Sequence, residues 1–146
     1  NNDYIRYQNY IECSQAEIYR KLKLFEQAKQ LYMECQKKFS DLGIQPWIAH
    51  TELRLAMIDL EIGDYSSVTN HLEIANGIYV KYFHTWGKLH TDLIRLECNY
   101  MQMGNININK CNELKRKCRN MGYNYIIKEL EKLEHDEFST ASLMFL

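Results

Sequence analysis

His50-Thr51-Glu52-Leu53-Arg54-Leu55 and His90-Thr91-Asp92-Leu93-Ile94-Arg95-Leu96 are two copies of one phrase, the second longer by Ile94. A glycine turn follows each, Gly63-Asp64-Tyr65 after the first and Gly104-Asn105-Ile106 after the second. Lys23-Leu24-Phe25 occupies the same place in an earlier copy, so Phe25, Tyr65 and Ile106 recur at intervals of 40 and 41 residues. A fixed period of this length is the signature of stacked supersecondary units, none of which can bury its apolar face alone.

Between the turns the apolar residues recur at helical steps. Tyr4, Ile5, Tyr7, Ile11, Ile18, Tyr19 and Leu22 mark a first helix, and Ala28, Leu31, Tyr32, Cys35 and Phe39 form the stripe of a second over about 26–41. Leu42-Gly43 ends it, because glycine accepts the left-handed cap conformation. Pro46 suits the first turn of a third helix, where its missing N–H is not needed. This helix reaches about residue 62 and is apolar on most faces, which places it centrally. Asp64 or Ser66 can cap a fourth helix through about residue 82, and helices over about 85–103 and up to about 121 follow. A last one, about 124–134, carries Ile126, Ile127, Leu130 and Leu133 on one face and Lys128, Glu129, Glu131 and Lys132 on the other, as a cap at the end of a stack should. The expected fold is all-α: a right-handed stack of three antiparallel helix pairs plus a C-terminal capping helix. Residues 1–135 form the repeat domain, with repeats at about 9–45, 46–84 and 85–122 and the cap at 123–135; the tail 136–146 has no period and is expected to be irregular, apart from docking of its apolar end.

The chain resembles the tetratricopeptide repeat. Ala16, Tyr19, Phe25, Ala28, Tyr32 and Cys35 fill the family's small and aromatic places at the family's spacing. Ala56, Gly63, Tyr65, Leu72 and Ala75 fill them in the second copy, with Val68 where a small residue belongs, and the third copy keeps Tyr100 and Gly104. A period near 40 is similar to the long repeats in sensor regions of bacterial transcription activators of the maltose-activator type, in peptide-pheromone receptors and in other large signalling ATPases. The resemblance implies an α-solenoid that binds a protein or peptide, as the sensor or partner-docking part of a larger regulator. A structural or dimerising accessory to an enzyme is the alternative, and a nucleic-acid-binding repeat is a weaker one.

Composition narrows the classes. The formal net charge of −1 provides no global field for counterion release, which disfavours nucleic acid. No apolar run is long enough for a membrane helix, and the N-terminus does not read as a signal peptide. The missing initiator Met points to a fragment or a trimmed chain. The five cysteines, Cys13, Cys35, Cys98, Cys111 and Cys118, are odd in number and form no CxxC; they read as small buried residues of a reducing, cytoplasmic protein. His50, His71, His84, His90 and His135 form no HxxxH or HxH pair, so neither metal nor cofactor is expected. No P-loop, GxGxxG, GxSxG or HExxH occurs, and no catalytic residues are assigned.

In such stacks the first helix of each pair lines the concave surface. That rule assigns Cys13, Glu17, Arg20 and Lys21, then His50, Arg54, Met57 and Glu61, then Thr91, Arg95, Cys98 and Gln102 to it. Partner contacts are expected from Arg54 and Arg95, with Arg20, Glu17 and His50 beside them. By the repeat alignment Arg54 and Arg95 are expected to sit one above the other on adjacent repeats, where their planar donor forks suit a carboxylate or phosphate; the plainer alternative is pairing with Glu17, Glu61 or Glu97. Trp47 and Trp86 start two inner helices and read as core packing ahead of ligand stacking. Lys110, Lys115, Arg116, Lys117 and Arg119 read as a solvated outer face ahead of an RNA or anionic-lipid patch, since no aromatic residue interleaves them. The tyrosine-rich N-terminal helix, with Tyr4, Tyr7 and Tyr10, is the uncapped end, from which self-association or an upstream repeat in the parent protein is expected.

Overall fold

The computed structural model describes residues 2–139. Among these it has seven α-helices and no strand: α1 (Asn2–Lys21), α2 (Phe25–Asp41), α3 (Gln45–Ile62), α4 (Tyr65–Lys81), α5 (Thr85–Met103), α6 (Ile108–Met121) and α7 (Asn124–Glu134). The helix ends lie where breakers and caps place them. Pro46 sits in the first turn of α3, and Asp64 caps α4 by accepting from the Ser67 N–H at 3.3 Å. Asn107 caps α6 through the Lys110 N–H, 3.1 Å. Gly63 and Gly104 end α3 and α5 at φ +94° and +73°, a region that costs a side-chain-bearing residue free energy.

Each helix packs on its neighbours in sequence, and α3 also meets α5 while α5 also meets α7. α3 is buried on most of its circumference, from Ala49 to Leu60. Its Leu53, Ala56, Met57 and Leu60 join Val68 and Leu72 of α4 and Ile94 and Cys98 of α5. Small residues set the helix spacing: Ala16, Ala28, Ala49, Ala56 and Ala75 have no exposed surface. The closest approach is Gly87, where a Cβ would run into the Tyr79 ring. At the C-terminal end Ile126, Leu130 and Leu133 of α7 pack on Leu89, Leu93 and Leu96 of α5 and on Cys111, Leu114 and Cys118 of α6. All five cysteines are buried and free.

One turn recurs between helices. Leu24 donates its N–H to Tyr19 O, Ile44 to Phe39 O, Asp64 to Asp59 O, His84 to Tyr79 O and Tyr123 to Cys118 O, all at 2.8–2.9 Å. α3 and α5 therefore start in the same register, forty residues apart, and an uninterrupted helix keeps that register. His50 corresponds to His90 and Arg54 to Ile94, while the extra residue appears at the far end, where α5 has 19 residues to the 18 of α3. Arg95 is turned about 100° from the position of Arg54. The expectation that Arg54 and Arg95 stack is corrected on this ground.

Beyond α7, residues 135–139 lie outside the helices. Tyr100 donates to the Asp136 carboxylate, and Phe138 is buried with its ring edge-on to Tyr100. The rest of the expected irregular tail lies outside the described residues. No described helix is long and apolar enough to cross a membrane.

Candidate functional site

A cavity of about 520 Å³ opens between α1, α3 and the start of α5. Tyr10, Cys13, Ser14 and Glu17 line it from α1, Tyr32 from α2, Trp47, His50, Thr51 and Arg54 from α3, and His84 and Trp86 from the α4–α5 junction. At its centre Glu17 holds two arginines: Arg20 Nη2 donates to Oε2 at 2.9 Å and Arg54 Nε to Oε1 at 2.8 Å, while the Tyr32 hydroxyl also donates to Oε1. Burial would push the Glu17 carboxyl up, but the charges of Arg54 and Arg20, with hydrogen bonds from Arg20 and Tyr32, hold it below the usual range. Burial raises the Tyr32 hydroxyl, and the facing Glu17 carboxylate raises it further. The Arg54 Nη1 is buried without a hydrogen bond among the described residues.

Aromatic and imidazole rings run along the cavity and past it. Trp47 clusters with Tyr10 and Phe39, with ring centroids 4.8 and 5.5 Å away, and meets His50 edge-on at 5.2 Å. His50 is followed by His84 at 5.2 Å and Trp86 at 5.6 Å, and Trp86 stacks on His90 at 3.9 Å. His50 is depressed to about 4, by burial first and then by His84, Arg54 and His90. His90 is also depressed to about 4, chiefly by burial. Both are neutral at pH 7. The His90 Nδ1 lies 2.7 Å from the Trp86 carbonyl and must donate; its Nε2 then accepts from the Tyr125 hydroxyl at 2.8 Å. His50 Nδ1 is 2.6 Å from the Tyr79 hydroxyl, and His84 Nδ1 accepts from the Gly87 N–H at 3.0 Å, which makes His84 the N-cap of α5.

Of the residues singled out in the sequence, Glu17, Arg20, Arg54 and His50 come together here, with Arg20 buried behind the wall. Arg95 does not. It lies 3.7 Å from Asp92 on its own helix and lines a different cavity, with Asn99, Lys110 and Lys117. Trp47 and Trp86 each pack on neighbouring rings, and each lines the cavity. Sequence reasoning missed Tyr10, Tyr32 and His84 as wall residues. Tyr32 reads in the sequence as a stripe residue and Tyr10 as part of the uncapped N-terminal end, and His84 has the position of a cap but not the usual residue type.

A second polar cluster joins α2, α3 and α4. His71 of α4 bridges two buried carboxylates of α3, Glu52 at Nδ1 and Asp59 at Nε2, the latter at 3.2 Å. Lys29 of α2 reaches Asp59 at 2.5 Å, and Gln36 donates to Glu52 at 2.5 Å. Hydrogen bonds to Asp59 and Glu52 raise His71 to about 9, so it is charged at neutral pH. No group of three or more His, Cys, Asp or Glu among the described residues could hold a metal ion.

The cavity's one carboxylate is saturated by donors and depressed, which makes it a poor general base, and its phenol is raised, which makes it a poor acid. No family model matches the chain, and no curated protein or solved structure matches it.

Proposed function

We propose that this chain is a non-enzymatic, protein- or peptide-binding helical repeat module of the tetratricopeptide-like kind. Its three antiparallel helix pairs form a right-handed stack closed by α7, and it serves in the cytoplasm as the sensor or partner-docking part of a larger signalling or transcriptional regulator. The observation that carries the reading is the ring-walled cavity lined by Glu17 and Arg54, where the Arg54 Nη1 is buried without a hydrogen bond among the described residues. Such a surface suits an apolar or aromatic side chain lying on Trp47 and Trp86, with a carboxylate or backbone carbonyl turned to Arg54. Peptide display selected on this chain tests it. Enriched peptides should shift the tryptophan fluorescence and lose about tenfold or more in affinity with Trp47→Ala. Failure to enrich any peptide, or enrichment indifferent to Trp47, argues against it.

A second reading, that of a structural or dimerising accessory domain, is favoured by the outer face of α1. Tyr4, Tyr7, Ile11, Ile18 and Leu22 are exposed there at helical spacing. Sedimentation across a concentration series tests self-association through this face: reversible dimerisation lost with Tyr7→Glu and Ile18→Glu supports it, and a clean monomer at every concentration removes it.

A further inference from the structure

We propose that the groove between α5 and α6 is a second docking surface beside the Glu17–Arg54 cavity, with which it shares the wall residue His84, and that its occupant is an acidic protein segment anchored by an apolar side chain. Two cavities, of about 460 and 200 Å³, adjoin along this groove, with Asp92 and Lys117 lining both. Its two ends differ in chemistry. One is apolar: Val80, Phe83, Leu89 and Met121. The other is basic: Arg95, Lys110 and Lys117, answered by Glu113. Along its length Lys88, Arg95, Lys110 and Lys117 face only Asp92 and Glu113, an excess of two positive charges in a chain whose net charge is −1.

The internal pairs are easily exchanged. Asp92 is shared between Lys88 at 2.9 Å and Arg95 at 3.7 Å, and Lys117 reaches Glu113 at 3.3 Å; each pair lies on a single helix with part-exposed side chains. Solvated pairs of this kind hold their partners weakly, so carboxylates arriving in the groove can take the cations over.

Phe83 supplies the anchor point. It is 91% exposed and adopts φ +54°, the left-handed region. The recurrent turn puts Gly43, at φ +71°, at the same place one repeat earlier. A phenylalanine there strains the backbone where glycine does not, and it buries almost nothing in return. Half-exposed Val80 and Met121 line the same cavity. A strained, exposed aromatic at the rim of an apolar pocket is accounted for by an apolar group that closes over it. The site is a groove between two helices with cations on its walls, which fits a chain segment better than a flat bilayer. No aromatic side chain lines its basic end, where a single-stranded nucleic acid would stack.

The probe is a fluorescent synthetic peptide in which leucines precede a run of glutamates. It is read by anisotropy against the same peptide with glutamines, and beside phosphatidylserine vesicles. The chain should bind the glutamate peptide in preference to the glutamine one, with affinity falling steeply as salt rises. Phe83→Gly should weaken binding about tenfold while the thermal midpoint holds or rises, and Lys117→Glu should weaken it by a similar factor. Equal binding of the two peptides overturns the proposal. So does Phe83→Gly lowering the midpoint with binding intact, which would make Phe83 structural. Capture by the vesicles with no binding of the peptide overturns it in favour of a membrane.

Discussion

α3 and α5 carry the same phrase and use it differently. In α3 Arg54 turns to Glu17 and closes the core of a cavity; in α5 the corresponding residue is Ile94, fully buried, and Arg95 stands outside with Asp92. The seams differ in parallel. Glu52 and Asp59 of α3 clamp His71 of α4, whereas their counterparts in α5, Asp92 and Asn99, line an open groove against α6. Two stretches that align by letters are thus separated by one helical step, and that step moves a guanidinium from a buried network to a solvated surface.

The contrast can be broken from either side. The largest effect belongs to Glu17→Ala, which removes the carboxylate that two guanidiniums share; with Arg20 buried, the cost should be about 3–5 kcal/mol by urea denaturation. A loss below about 1 kcal/mol would mean that the network is not closed. The His71 clamp should show in the pH dependence. Its folded value, about 9, lies above its ordinary 6.5, so its stabilisation is fully present below pH 6.5 and is lost as pH rises through about 9. Relative to His71→Gln, the chain should lose on the order of 2–3 kcal/mol across that window; parallel curves would dissolve the clamp. Arg54→Ala should cost about 1–3 kcal/mol, since Glu17 keeps Arg20 and Tyr32. Arg95→Ala should cost less than about 1 kcal/mol, as a solvated same-helix pair does. Equal costs at Arg54 and Arg95 would erase the comparison.

What was legible in the sequence follows from where the signals are local. Gly63, Gly104, Pro46 and Asp64 punctuate the chain within a few residues of the helix ends they set, so seven helices could be placed from letters alone. The all-round apolar character of α3 announced its central position, and Glu17, Arg20, His50 and Arg54 could be grouped by repeat position. Rotation about a helix axis was not legible. Ile94 looks like an insertion in an alignment, but α5 runs as an uninterrupted α-helix with no bulge to absorb it, so the turn at His84 decides which way Arg95 points. The Glu52–His71–Asp59 clamp was hidden for a related reason: its members are scattered over two helices and read as ordinary surface charges until burial is known. Phe83 gave no sign of its left-handed backbone because the turns at other junctions put glycine or lysine there.

The most direct test of the central claim, that Arg54 and not Arg95 shares a site with Glu17, is a pair of double-mutant cycles read by urea denaturation. Glu17→Gln is combined with Arg54→Ala in one cycle and with Arg95→Ala in the other. The account predicts a coupling above about 1 kcal/mol for Glu17 with Arg54, and additivity within about 0.5 kcal/mol for Glu17 with Arg95. Comparable coupling in both cycles, or coupling only to Arg95, would contradict it.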